Sequence, residues 1–168
     1  MNTRTQARQN DEGFTLIELL IVMSVMLILM TMIIPSVLKV TKSANQTSAM
    51  NSVKAIGSAE GQYMSAFPVN GFSCSLAALG GASGTPPTPQ SAQVLDPTLA
   101  QGNKSGYTFN ITNCTKVTVQ NTDQYTGYEI TAVPNSIGRS GDRGYCMDES
   151  GVLKYDPTGG TNCTQTVQ

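Results

Sequence analysis

Between Thr15 and Ile34 the chain runs for 20 residues with one charged side chain, Glu18. At about 1.5 Å of rise per residue, a helix of that length matches the roughly 30 Å hydrocarbon thickness of a bilayer. A chain of 168 residues makes one ordinary domain plus attachments, and such a domain seldom hides a helix that is apolar on every side. The run also exceeds the ~7–15-residue apolar part of a secretory signal, and no clear small-x-small cleavage site follows it. It is read as a membrane-spanning segment. Arg4 and Arg8 precede it while Lys39 and Lys42 follow it, so flanking charge gives little guide to its orientation.

Helical periodicity continues past Pro35, but in a different form. Val37, Val40, Ala44, Val53, Ile56, Glu60, Tyr63 and Phe67 recur at helical steps, which describes an amphipathic stripe. "FPVNG" (67–71) supplies the stop. One long helix is therefore expected over about 14–66, greasy in its first half and two-faced in its second. Pro35 inside it removes one hydrogen bond and crowds the preceding turn, so a kink or local opening is expected there.

Composition narrows the chemistry. Charged residues are 12% of the chain and the net charge is −1, so no broad basic field exists to hold nucleic acid. Histidine is absent, which removes the commonest general base and the commonest metal ligand together. No G-x-S-x-G element occurs and no carboxylates cluster in the second half, so a membrane-tethered enzyme is disfavoured and no cofactor is expected. Cys74, Cys114, Cys146 and Cys163 are widely spaced without a C-x-x-C pair. That argues against zinc and for two disulfides, with free buried thiols as the alternative.

From Phe67 the composition shifts to Gly, Ser and Pro, with one short helical turn expected at "SLAALG". Strand-like alternation follows at 105–112, 115–120, 126–133, 142–148 and 151–156, and "DESG" (148–151) reads as a tight turn. Sequential strands with short links favour an antiparallel meander. One face of that sheet needs a cover, and the amphipathic half of the long helix is available. The expected fold is α+β, a kinked N-terminal helix packed on an antiparallel sheet of three to five strands. Its parts would be 1–13, 14–35, 36–66, a connecting loop 67–104, and a head 105–168.

The stretch "GFTLIELLIV" (13–22) resembles the N-terminal signature of type IV prepilins and type II secretion pseudopilins. "LAALGG", "KSGYTF" and "RGYCMDESGV" are similar to acidobacteria-like type IV pilin heads. The resemblance implies a leader ending at Gly13, cleavage before Phe14 by a prepilin peptidase, and N-methylation of Phe14. It implies polymerisation into a helical homo-oligomer by an inner-membrane platform and a cytoplasmic ATPase, with membrane lipid as the partner before assembly. Glu18 would set axial register by facing the Phe14 amine of a neighbouring subunit, and Pro35 falls where many members carry a helix proline. A C-terminal disulfide-bounded loop is common in pilins, which implies Cys146 with Cys163 and, beside it, Cys74 with Cys114; four cysteines allow three pairings.

Two assemblies share the signature. A type IV pilus would place the subunit at the cell surface, and a type II secretion pseudopilus would keep it periplasmic. Major pseudopilins usually end in an aspartate-rich calcium loop, and the tail "DPTGGTNCTQTVQ" lacks the extra acids, so the pilus is favoured. Asp148, Glu149 and Asp156 make a calcium site conceivable, but their spacing fits no EF-hand loop and no metal is expected. "NIT" and the two "NCT" triplets match a glycosylation pattern too short to carry weight in an Asn/Thr-rich region. Arg139 and Arg143 read as surface charge rather than as a ligand clamp.

Overall fold

The structure is a computed structural model that describes residues 13–81, 84, 86–119 and 121–167, without the side chains of 32–35. Of the expected leader only Gly13 is described, and the expected kink at Pro35 lies outside the described residues. The chain divides into two compact units, one ending at Val37 and the other starting at Leu38. The helix α1 (Leu16–Ala66) runs through both.

In the first unit the large apolar side chains from Phe14 to Met30 are 50% to 88% exposed. Its few polar groups are turned inward on the helix itself. Ser24 Oγ donates to the Leu20 carbonyl at 2.7 Å, and Thr31 Oγ1 to the Ile28 carbonyl at 2.7 Å. Hydroxyls satisfied by their own helix backbone leave an apolar surface on all sides. Taken separately on either side of residues 32–35, neither helical stretch is long and apolar enough to cross a membrane; Leu16–Thr31 and Ser36–Ala66 meet that criterion only as a pair, by length and composition.

The second unit is an α+β head. Its buried helix positions are Ala49, Ser52, Val53, Ile56, Ala59, Glu60 and Tyr63, each with a partner three or four residues away, as one face of a helix must have. Val37, Val40 and Ala44, which continue the same stripe in sequence, are exposed, so the buried face begins only at Ala49. Between Phe67 and the sheet come two single-turn helices, α2 (Leu76–Leu79) and α3 (Pro97–Ala100). Ser75 caps the first and Asp96 the second, with Pro97 at the first helical position. Each cap satisfies amide N–H groups that a helix start leaves unpaired. The two turns carry Leu79 and Leu99 into the core.

Six antiparallel strands follow in sequence order: β1 (Asn103–Lys104), β2 (Tyr107–Val119), β3 (Thr122–Pro134), β4 (Gly144–Asp148), β5 (Leu153–Asp156) and β6 (Gln165–Thr166). Four of them form the body, and the two-residue strands β1 and β6 close the edges. Short edges leave little unpaired backbone open to a foreign strand. Inward-facing Tyr107, Phe109, Ile130, Ala132, Tyr145 and Met147 meet Val53 and Ile56 in one core. Gly57 permits the close approach, because a Cβ there would collide with the Met147 methyl.

The stretches 105–112 and 115–120, expected as two strands, contribute to the single strand β2 (Tyr107–Val119). Register slips between Thr112 and Thr115, where Asn113 takes φ +52°. The Asn113 amide donates to the Glu129 carboxylate across the ladder. An extra residue in a left-handed conformation is how a strand absorbs a bulge without ending. The turn at 148–151 is as expected: Gly151 takes φ +75° and its N–H donates to the Asp148 carbonyl at 3.0 Å.

Glu60 lies fully buried on the apolar helix face. It accepts the Ser73 N–H and the Ser73 hydroxyl, each at 2.7 Å, so a buried acid fastens the 67–75 loop to the helix. Burial pushes its carboxyl above the ordinary value, against the opposing pull of the Ser73 and Cys74 donors. A raised value in the fold means that the group favours folding most below the ordinary carboxylate range, and the benefit is lost as pH rises through the raised value. Glu60→Gln should flatten that limb. The glutamine oxygen can accept the Ser73 N–H, and its amide can donate to Ser73 Oγ, whose proton then turns to the Ser75 carbonyl 3.2 Å away. Chemical denaturation at about pH 4 and about pH 8 should show a smaller difference in the variant than in the parent chain. An unchanged difference would contradict this account of Glu60.

Candidate processing and assembly site

The helix α1 opens with Thr15 as its cap and Glu18 three residues on. Thr15 N–H donates to Glu18 Oε2 at 2.8 Å, and Thr15 Oγ1–H to the same oxygen at 2.7 Å. In return Glu18 N–H donates to Thr15 Oγ1 at 3.3 Å. This is a reciprocal capping box, which satisfies amides that no preceding turn can serve. A carboxylate at this end also meets the positive pole of the helix dipole. Thr15 was not among the expected site residues, although "T-L-I-E" carries the capping-box spacing.

Gly13 and Phe14 precede the box. Phe14 is 86% exposed, and Gly13, Phe14, Thr15 and Glu18 together border an open cavity of about 510 Å³. Glycine at 13 leaves open space where a Cβ would stand. The carboxylate thus sits one turn from the 13–14 peptide bond. Oε1 makes no hydrogen bond among the described residues, since all the bonds to the Glu18 carboxylate use Oε2.

The cysteines and the acids singled out in sequence lie in the head. Cys74 is bonded to Cys114, with Cα atoms 6.2 Å apart, and Cys146 to Cys163, with Cα atoms 6.0 Å apart. The first joins the loop after α1 to the β2 bulge; the second joins β4 to the tail before β6. Asp156 accepts from the Thr158 N–H at 2.8 Å, the Thr158 hydroxyl at 2.6 Å and the Asn162 N–H at 3.0 Å. Those donors, the Thr158 hydroxyl first, hold its carboxyl below the usual range. Asp148 is occupied by Ser150 and by Lys154 Nζ at 3.3 Å. Both acids are clasps for turns. Among the described residues no group of three His, Cys, Asp or Glu side chains is placed to hold a metal ion.

An apolar helix exposed all round, opened by a single locked carboxylate and followed by an antiparallel sheet, is a pilin-like α+β architecture. Residues 8–34 match the family model of the prokaryotic N-terminal methylation motif. The chain therefore carries the N-terminal signature of type IV prepilins and pseudopilins. That signature implies processing by a prepilin peptidase, a membrane-anchored N-terminus before assembly, and assembly into filaments. No curated protein and no solved structure matches the chain.

Proposed function

We propose that this chain is the structural subunit of a type IV pilus. Prepilin peptidase cuts between Gly13 and Phe14 and methylates the new amine. An inner-membrane platform, driven by a cytoplasmic ATPase, then moves the subunit from the lipid into a helical fibre at the cell surface. The subunit is a substrate and a building block, so the reading assigns it no catalytic residue and no cofactor.

The observation that carries this is the unpartnered apolar helix. Among the described residues, fourteen large apolar side chains from Phe14 to Met30 are half or more exposed. Leaving them in water would cost on the order of 20–40 kcal/mol at about 1.5–3 kcal/mol each. Lipid covers them in the monomer, and identical helices cover them in a fibre, so transfer between the two changes their surroundings little. Glu18 of one subunit meets the Phe14 amine of the next and fixes the axial register.

The same signature serves type II secretion pseudopilins, which differ in where the fibre ends. Shearing cells and imaging the released material separates the two. Long surface fibres containing this chain are expected. Short periplasmic material whose loss blocks protein export would replace the pilus by the pseudopilus.

A further inference from the structure

The helix residues that open the second unit are exposed: Leu38 is 57% and Val40 66% accessible, with Lys39 exposed between them. A little further on, the helix is tied to the loop that follows β3. Lys42 Nζ lies 2.8 Å from Asp142 Oδ2, and Asn45 Nδ2 donates to the Ser140 carbonyl at 3.0 Å. That loop is a tight turn, closed by Gly138 N–H to the Gly141 carbonyl at 2.9 Å and by Ser140 N–H to the Ser136 carbonyl at 2.9 Å. It holds Ile137 out at 64% exposure, with Arg139 exposed two residues on. Neither Lys39 nor Arg139 forms an ion pair among the described residues. The nearby acids are already engaged: Asp142 by Lys42, and Asp156 inside its own loop.

We propose that this end of the head docks on an anionic lipid surface before assembly, with Leu38, Val40 and Ile137 entering the interface and Lys39 and Arg139 meeting the headgroups. The inference rests on the reading of the apolar run as a membrane span. Covalent continuity then limits the distance. Lys39 follows Ile34 by five residues, at most about 18 Å of chain in any conformation, which keeps residues 38–40 within reach of a headgroup layer about 5–8 Å deep on each side. Long basic side chains such as Lys39 and Arg139 cover the remainder by extending toward the headgroups. Apolar residues interleaved with cations are what an interfacial contact needs. Docking would hold the monomer's head against the bilayer until the fibre extracts it.

The chain contains no tryptophan, so Ile137→Trp installs a single fluorescent reporter at an exposed site. The full chain, reconstituted in phosphatidylglycerol–phosphatidylcholine vesicles carrying lipid brominated near the glycerol backbone, should show blue-shifted, strongly quenched emission. Val119→Trp, at the end of β2, is the comparison. Each cation near an anionic surface is worth about fivefold in the docked-to-free ratio, so Lys39→Gln with Arg139→Gln should lower it about 25-fold. Emission from the Ile137→Trp chain equal to that from the Val119→Trp chain, in protein that still floats with the vesicles after a carbonate wash, overturns the docking and leaves the span intact. Chain that fails to float overturns both. Equal quenching in phosphatidylcholine alone overturns the anionic partner.

Discussion

Glu18→Gln is expected to leave the chain folded and membrane-bound while removing its ability to assemble. Glutamine has nearly the shape of glutamate and still accepts the Thr15 N–H, so the capping box survives. What disappears is the charge. In the proposed fibre the methylated Phe14 amine remains cationic and sits among apolar helices. Without its carboxylate it becomes an uncompensated charge, which should weaken subunit addition roughly a hundredfold to a thousandfold. Thr15→Ala is the complement, since it removes the cap hydroxyl and keeps the carboxylate. It should cost the helix end about 0.5–2 kcal/mol and leave fibres forming. Fibre yield measured for both variants decides which role of Glu18 matters. Equal failure of the two would assign Glu18 to the cap, and normal fibres from Glu18→Gln would remove it from assembly altogether.

The second large effect is expected from Cys74→Ala with Cys114→Ala. The bridge closes 40 residues of sequence, for which the chain-entropy treatment gives about 4 kcal/mol of stabilisation of the head. The Cys146–Cys163 bridge closes 17 residues and is worth about 3 kcal/mol on the same basis. The first should matter more for a structural reason as well. Cys74 has φ +54° and lies beside Ser73, which Glu60 clasps, while Cys114 sits in the β2 bulge. Loop, helix and sheet meet there. Denaturant unfolding of both double variants in detergent should rank Cys74/Cys114 as the more damaging pair. A head that loses no stability without the Cys74–Cys114 bridge would contradict this.

Much of this fold is legible along the chain because its signals are periodic. The 20 uncharged-but-one positions, the three-and-four stripe of Val53, Ile56, Glu60 and Tyr63, and the alternation in "SGYTFNIT" and "GVLKYD" each declare an element by its repeat. What escaped is local or long-range. Asn113 reads as a strand breaker, yet its left-handed φ makes a bulge inside β2, because Glu129 on the neighbouring strand holds its amide. Helix α3 is announced only by "DP" at its start, a capping signal too short to show periodicity. Glu60 looks like one polar interruption in an apolar stripe; that it is wholly enclosed depends on Ser73, thirteen residues away. The strands β1 and β6 exist because neighbours offer free edges, which two residues of sequence cannot announce.

At the candidate site the division is similar. Glu18 stands out as the one charge in an apolar run, Gly13 and Phe14 stand out only through the resemblance to the prepilin signature, and the part played by Thr15 needed geometry. The one carboxylate of the apolar run also completes the helix that carries it.

Mass spectrometry of the N-terminal peptide, taken from fibres sheared off the cell surface, tests the central claim most directly. The expected peptide begins at Phe14 and bears a single methyl group on its α-amine. A chain recovered only from the membrane as a monomer, still beginning at Met1, would contradict it.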